Sequence, residues 1–183
     1  HASLLPQYRG AAPINWAIIN QEKETGLSTF FIRHMIDTGD ILLQVKCDIT
    51  KEETAGSLHD KLMNKGAALV NKTLELISEK KYTKHEQIET SDLKYAPKIF
   101  KEDCQISWKD PAIKIDHFIR GLNPYPIAWT TMNDRSLRVY QGKICNDNLK
   151  LQPGELICKD KKIMVGTGDA TYELLVLQLE GKK

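Results

Sequence analysis

The apolar positions in the first half of the chain change from a period of about two residues to one of about 3.6. Residues 26–32 (GLSTFFI) are rich in β-branched and aromatic side chains, and every second residue over 43–49 is apolar. Both stretches predict strands, the second with one buried face. Over 58–77 the apolar residues, Val70 among them, recur at helical spacing. This predicts a long helix that ends near Lys81 and buries the stripe in the core.

Two threonines stand where this long helix can begin. Thr50 is followed three residues later by Glu53, which is the spacing of a capping box, and Thr54 is the second candidate cap. A shorter helix is predicted over 12–20, where Pro13 is compatible with the first turn. The first part of the chain therefore combines helices with strands.

The second half of the chain has a different pattern. Residues 82–99 are polar with weak periodicity and are predicted to form a linker. A short helix is predicted from Asp110, with Pro111 at its first position and Gly121 at its end. Short strands follow, separated by turn residues such as those at 146–148; the strands are 128–132, 137–140, 155–158, 162–165 and 172–179. Many short strands at close spacing are typical of a small antiparallel barrel or sandwich.

Composition narrows the function classes only slightly. The chain has 183 residues and a formal net charge of +2, and no stretch approaches the roughly 20 apolar residues of a membrane span. Residues 98–183 carry 14 Lys and Arg against 11 Asp and Glu, a mildly basic balance of +3 that permits but does not require a polyanionic partner. The four cysteines lack metal-ligand spacing, which predicts reduced thiols in the cytoplasm and no metal site.

The candidate chemistry lies in His1 and Asp37. A histidine before an apolar loop and a carboxylate before a Thr-Gly-Asp turn can meet at one edge of a sheet, and a His–Asp pair is a workable proton-transfer unit. Taken without further context, such a pair is more often an incidental surface contact than a catalytic dyad.

Several motifs along the chain carry a family resemblance. They are H-x-S-L-L-P-x-Y-R-G-x-x-P over 1–13, D-T-G-D-I-L over 37–42, Y-A-P-K-I over 95–99, I-R-G-L-N-P-x-P-x-A-W-T-T over 119–131 and L-x-L-x-G-K-K over 177–183. Their identity and order resemble the folate-dependent formyltransferases, and among these most of all the methionyl-tRNA formyltransferases. The resemblance covers nearly the whole chain.

The resemblance implies an α/β fold in two parts. Residues 1–81 are expected to be the C-terminal part of a catalytic domain with a partial open Rossmann-like sheet. After the linker over 82–99, residues 100–183 are expected to form a small antiparallel β-barrel, OB-like and truncated at its end. The first part of the N-terminal domain is expected to precede His1.

The implied activity is transfer of a formyl group from 10-formyltetrahydrofolate to the α-amine of methionyl-initiator tRNA, in translation initiation. The resemblance implies a cytoplasmic monomer with no metal and no membrane partner. Two alternatives remain open: a sugar-nucleotide amine formyltransferase or formyltetrahydrofolate hydrolase of the same superfamily, and a non-catalytic RNA-binding module.

The resemblance also implies roles for particular residues. His1 and Asp37 match the catalytic histidine and aspartate, and the stretch Ser3, Leu4, Leu5 and Pro6 matches the loop that lies against the folate. The family's third catalytic residue is an asparagine two positions before the histidine. That position precedes His1, and the chain is expected to be inactive without it.

Four further residues lie close in sequence to these motif positions. Arg9 is expected to steady the loop rather than to touch substrate, because arginine forks commonly fix loops. Gln7 stands where the family usually has a basic residue, and Met35, next to His34, stands where it often has glycine. Met35 and His34 are expected to reshape the mouth of the pocket, with His34 facing solvent.

Overall fold

The computed structural model of the chain describes residues 1–145 and 149–181. The chain divides into two compact units, the first formed by His1–Ala17 and Glu22–Lys98 and the second by Ile18–Gln21 and Ile99–Lys183. The predicted turn at 146–148 and the last two residues of the 177–183 motif lie outside the described residues.

Strands and helices alternate in the first part of the chain. In chain order the elements are β1 Arg9–Gly10, α1 Pro13–Ile19, β2 Glu24–Phe30, β3 Ile41–Asp48, α2 Ala55–Ser78 and β4 Tyr95–Ala96. β1 pairs with β4 in parallel, and β2 pairs with β3 antiparallel. The predicted α/β character is confirmed, with parallel and antiparallel pairs.

β3 follows the alternation of its sequence. Its even-numbered side chains from Gln44 to Asp48 are exposed, whereas Leu43, Val45 and Cys47 are buried or half-buried. Successive side chains of a strand point to opposite faces, so the odd-numbered apolar residues of β3 lie together on its buried face.

α2 begins at the second of the two predicted caps. The Thr54 hydroxyl accepts from Ser57 N, and Ser57 Oγ accepts from Thr54 N, which completes a capping box. Leu58 and Leu62 are fully buried, but Val70 is 49 % exposed, so the prediction that the whole stripe is core is wrong at Val70. Over this part of α2 the buried residue is Thr73, and its hydroxyl lies 2.9 Å from that of Thr29 on β2.

A linker was predicted over 82–99, and its residues 82–98 belong to the first unit, where several of them are hydrogen-bonded. His85 N donates to Ile41 O at 2.9 Å, and Ile41 N donates to His85 O at 2.8 Å. Farther along, Tyr8 N donates to Lys94 O, and β4 then pairs with β1. This polar segment is therefore part of the first unit, where it pairs with the start of β3 and with β1.

The second unit is one helix with an antiparallel sheet. Its elements are α3 Ala112–Leu122, β5 Ala128–Met132, β6 Arg135–Cys145, β7 Leu156–Lys159, β8 Lys162–Gly166 and β9 Thr171–Leu179. The strand order is β5-β6-β9-β8-β7, and every neighbouring pair is antiparallel. Within the described strands β5 and β7 do not pair, so the sheet is open and the predicted closed barrel is not seen.

The core of the second unit lies between α3 and this sheet. Ile119 and Leu122 of α3 are fully buried in one cluster with Val139 and Tyr172 from the strands. The first turn of α3 is held from outside the helix, because Ala112 N donates to Asp169 Oδ1 at 2.8 Å. That bond satisfies one of the N–H groups that a helix start leaves unpaired.

Candidate active site

The backbone of His1 is fixed by strand β2. Its nitrogen donates to Ser28 O at 2.9 Å, and its carbonyl oxygen accepts from Ser28 N at 2.9 Å. The Ser28 hydroxyl donates to Ser3 O at 2.7 Å and accepts from Leu5 N at 3.0 Å. One strand residue thus holds both ends of the loop over 1–5.

The imidazole of His1 lies between a carbonyl and a carboxylate. Nε2 is 2.9 Å from Tyr8 O, and Nδ1 is 3.5 Å from Asp37 Oδ2. Both side chains are largely buried, with 10 % of His1 and 17 % of Asp37 exposed. The structure therefore brings together the two residues that the sequence singled out, although they are 36 positions apart in the chain (37 − 1).

The contact with Tyr8 O fixes the hydrogen-bonding role of one ring nitrogen. A carbonyl oxygen can only accept, so Nε2 must carry the hydrogen that binds Tyr8 O. In a neutral ring Nδ1 then has a lone pair, which a carboxylate would repel. The Nδ1–Oδ2 distance of 3.5 Å is that of an ion pair when the ring is protonated, so the two side chains are placed as a proton-holding pair.

Asp37 is held in an uncommon backbone conformation. Its φ is +55°, in the left-handed region, where aspartate is tolerated better than most side chains. Its Oδ2 accepts from Gly10 N at 2.9 Å, and Gly10 has a φ of +129°. A Cβ at position 10 would lie 2.3 Å from Ala96 O, so the backbone N–H reaches the carboxylate only because position 10 is glycine.

The Asp-Thr-Gly-Asp turn receives further hydrogen bonds from two other side chains. Gln87 Nε2 donates to Asp37 O and to Gly39 O, each at 2.8 Å. Arg33 Nη2 donates to both carboxylate oxygens of Asp40, at 2.8 and 2.9 Å. Gln87 could not be identified from the sequence, since it lies in a polar segment without periodicity. The carbonyl of Tyr8 could not be identified either, since a backbone group leaves no sequence signal.

The loop predicted to lie against folate is partly interior. Ser3 and Leu5 are buried, and Ser3 Oγ donates to Gln7 O at 2.6 Å. Leu4 and Pro6 are half-buried, and Leu4 lines a cavity of about 280 Å³. Of the four predicted residues, Leu4 and Pro6 are thus the ones that present side-chain surface.

Arg9 and Gln7 are both engaged with the segment over 87–94. Arg9 is buried and donates to the side chains of Gln87 and Glu89, so it steadies the loop as predicted, through side-chain partners. Gln7 Oε1 accepts from Lys94 N at 2.8 Å. The polar residue at position 7 is thus used to bind the backbone of this segment.

An apolar rim precedes Asp37. Ile32, Met35 and Ile36 are all more than two-thirds exposed on the connection between β2 and β3, and His34 faces solvent there as predicted. Large apolar side chains that cluster in water mark a binding surface more often than scattered ones do.

The described residues contain neither a cluster of metal ligands nor a helix that could span a membrane. Over 1–145 and 149–181, no group of three or more His, Cys, Asp or Glu is placed to hold a metal ion. In the same part of the chain, no helix combines the length and apolar character needed to cross a bilayer.

In the second unit, exposed cations are scattered. Lys150, Lys159, Lys161 and Lys162 are exposed, and Lys143 lies 3.3 Å from Glu173. A cavity of about 250 Å³ is lined by Lys101, Trp129, Arg138 and Glu180, among others.

Comparison with known proteins gives consistent matches along the chain. Residues 1–74 match the family described as "Formyl transferase", and residues 98–183 match "Formyl transferase, C-terminal domain". The chain is 44 % identical over 187 residues to a protein of Flavobacterium johnsoniae named methionyl-tRNA formyltransferase. The alignment covers 100 % of this chain and 59 % of that relative, so the chain spans about three-fifths of its length.

Solved structures share the fold. HypX from Aquifex aeolicus in complex with tetrahydrofolic acid matches 98 % of this chain and 31 % of its own, with a TM-score of 0.75 and 18 % identity. An N-formyltransferase from Helicobacter canadensis, in complex with folinic acid and dTDP-3-aminofucose, matches 96 % of this chain and 64 % of its own. Its TM-score is 0.74 and its identity 21 %.

Proposed function

The chain belongs to the formyl transferase family, and from that premise we propose that its protein transfers the formyl group of 10-formyltetrahydrofolate to the α-amine of methionyl-initiator tRNA. The observation that carries the proposal is the proton-holding pair of His1 and Asp37. The name of the Flavobacterium relative supports the choice of methionyl-tRNA as acceptor.

The transfer needs a group that takes a proton and a group that gives one. The α-amine attacks the formyl carbon, so a C–N bond forms and the bond from that carbon to N10 of the folate then breaks. The amine loses a proton and N10 gains one. In our proposal the pair takes the amine proton on the Asp37 side and releases the proton it holds toward N10, directly or through water.

The charge of the pair also suits the intermediate. Attack on the formyl group creates an oxyanion, and a protonated imidazole places positive charge beside it in a largely buried site. His1 therefore has two roles in the proposal, as proton carrier and as electrostatic partner of the oxyanion.

The folate donor is proposed to lie against the loop over 3–6. In this arrangement Leu4 and Pro6 supply surface, and Ser3 and Leu5 fix the loop through the hydrogen bonds to Gln7 and Ser28. The exposed apolar rim next to Asp37 offers a second wall for a flat ring system. No metal enters the proposed reaction.

The finer architecture and the partners belong to the same proposal. Residues 1–81 would be part of a Rossmann-like catalytic domain, and residues 100–183 an OB-like domain that holds the tRNA through its phosphates. The reaction would place the protein in the cytoplasm. If the second unit binds phosphates, affinity for tRNA should fall steeply between low and moderate salt.

The proposal is tested by formyl transfer in the full-length protein, with charged initiator tRNA and an amino-sugar nucleotide as competing acceptors. We expect transfer to the tRNA and a loss of about 100-fold or more in kcat for Asp37→Asn, in line with general acid–base catalysis. The control is Asp60→Asn, because His59 and Asp60 form a second His–Asp pair at 3.0 Å that is 60 % and 74 % exposed.

Three results would count against the proposal. Preferred transfer to the sugar amine would assign the sugar-nucleotide branch of the family. Binding of tRNA without any transfer, and without dependence on folate, would indicate an RNA-binding module. Full activity of Asp37→Asn would remove the assigned role of the carboxylate.

A further inference from the structure

The side chain of Gln87 is hydrogen-bonded on both sides next to the candidate site. It is 9 % exposed and lies two residues after His85, which is paired with Ile41 at the start of β3. This pairing fixes the backbone of the segment, so the Gln87 amide is directed into the first unit rather than into solvent.

The amide of Gln87 uses all of its hydrogen-bonding capacity. Its Nε2 donates to Asp37 O and Gly39 O at 2.8 Å each, and its Oε1 accepts from Arg9 Nε at 3.0 Å and Arg9 Nη2 at 2.9 Å. An amide group has two donor hydrogens and two acceptor lone pairs, so none is left over. Its orientation is fixed too, because carbonyls face one side and guanidinium N–H groups the other.

Arg9 permits only one orientation of the Gln87 amide. The guanidinium is buried, has no acceptor, and is anchored by Glu89 at 2.7 Å from Nη1. Rotation of the Gln87 amide by half a turn would set its NH₂ against the guanidinium and its oxygen against two carbonyls. Arg9 therefore holds the donor side of Gln87 toward the turn that contains Asp37.

The turn requires such support. Asp37 has a left-handed backbone, and residues in sparsely populated conformations persist where their surroundings hold them. Gln87 binds the carbonyls of Asp37 and Gly39, while Gly10 N binds the Asp37 carboxylate. Main chain and side chain of Asp37 are thus fixed by separate donors.

We propose that Gln87, oriented by Arg9, is a positioning residue that holds the Asp37 carboxylate against the imidazole of His1. The inference rests on the proposed function, since it assigns Gln87 its effect on transfer through Asp37. Gln87 touches neither of the reacting groups.

The test is Gln87→Glu in the full-length protein. A glutamate keeps the size of the side chain and still accepts from Arg9, but it donates to neither carbonyl of the turn. We expect kcat for formyl transfer to fall 10- to 100-fold, with KM for charged tRNA within threefold of the wild type, because small misplacement of a catalytic group costs rate more than binding. The matched control is Gln141→Glu, the same change at an exposed position on β6, with kcat within twofold.

A double-mutant cycle separates positioning from a general structural effect. If Gln87 acts through Asp37, Gln87→Glu should lower kcat no further when added to Asp37→Asn. Additive losses, or a Gln87→Glu enzyme within twofold of wild-type kcat, would overturn the inference. Should Gln87→Glu fail to fold, Arg9→Lys replaces it. We expect a loss of at least fivefold in kcat, because lysine cannot replace the two hydrogen bonds that Arg9 Nε and Nη2 donate to Gln87 Oε1. Unchanged kcat in Arg9→Lys would reject the inference.

One readout does not depend on transfer at all. In NMR spectra the ring protons of His1 should shift in Gln87→Glu and stay in place in Gln141→Glu, since displacement of Asp37 changes the surroundings of the imidazole. Unshifted ring signals in a folded Gln87→Glu protein would contradict the inference. Absence of transfer in the unaltered protein would instead reject the proposed function and leave this measurement interpretable.

Discussion

Three residues around the imidazole of His1 have positive φ angles. Tyr8, with a φ of +60°, supplies the carbonyl oxygen that lies against His1 Nε2. Gly10, with a φ of +129°, donates its N–H to the carboxylate of Asp37, whose own φ is +55°. Left-handed backbone in non-glycine residues is uncommon, and it clusters where a site must hold groups in fixed positions. Two of the nine non-glycine residues with positive φ in the described part of the chain, Tyr8 and Asp37, contact this imidazole, which agrees with the proposed catalytic role.

Gly10 and Gly66 should respond to alanine with opposite signs. In Gly10→Ala the new Cβ would approach Ala96 O to 2.3 Å on a positive-φ backbone, so we expect a loss of about 1–3 kcal/mol or more in the free energy of unfolding. Gly66 is inside α2, and its nearest neighbour would be Leu27 Cδ1 at 3.6 Å. Gly66→Ala should therefore stabilise by about 0.5–1 kcal/mol.

Urea unfolding of the wild type and the two variants measures both effects. The two glycines belong to the same unit, so both variants report on the unfolding of that unit and their free energies of unfolding can be compared directly. A Gly10→Ala protein as stable as the wild type would mean that β1 and β4 separate at little cost.

At the scale of elements, α2 depends on its cap. We expect Thr54→Ala to lower the free energy of unfolding by about 1 kcal/mol, because Ser57 N loses its acceptor at the helix start. Thr50 is the matched control, since its hydroxyl makes a long contact of 3.4 Å with Glu53 and caps no helix N–H. Equal losses in Thr50→Ala and Thr54→Ala, measured by thermal or urea unfolding, would contradict the assignment of the cap.

Elements with a regular period could be predicted from the sequence, whereas elements that depend on one close approach could not. β3 and α2 follow their alternating and helical patterns within a few residues. A strand was predicted over 137–140, whereas β6 spans Arg135–Cys145. Residues 141–145 pair with β9, which is far along the chain, and position 142 requires glycine because a Cβ there would lie 2.2 Å from Tyr172 Cε1.

The candidate site shows the same limit. His1 and Asp37 could be selected from residue types and motifs, and the structure brings them together. Gln87 could not, because its partners Asp37 and Gly39 are 50 and 48 positions away and its own segment is polar and aperiodic. Hydrogen bonds between distant loops have no periodicity from which a sequence could predict them.

At the scale of the whole molecule, stability should fall at alkaline pH through buried acids of the second unit. Burial is the main cause that raises the pKa of the Cys104 thiol from 9.0 to about 11, with the charges of Asp103 and Glu102 adding to it. Burial, with Asp116 beside the hydroxyl, also raises the pKa of Tyr172 well above its usual value. Both groups stay protonated in the folded chain at pH values where they ionise in the unfolded chain.

The sign of the effect follows from proton binding. Above pH 9 the unfolded chain binds fewer protons at Cys104 than the folded chain does, so the free energy of unfolding decreases as the pH rises toward 11. The Tyr172 contribution begins about one unit higher, near the ordinary tyrosine value of about 10. Between pH 8 and 10 the thiol is therefore the first of these two groups to act.

Urea unfolding between pH 8 and 10 tests this with two cysteine variants. Cys104→Ala should be less stable than the wild type at pH 8, because a buried side chain that donates to Phe100 O is lost, but its stability should change less as the pH rises. Cys158→Ala, at an exposed position, should follow the wild-type pH dependence. Parallel curves for the wild type and Cys104→Ala would show that the thiol ionises equally in both states, and the alkaline loss would then have to arise from other groups.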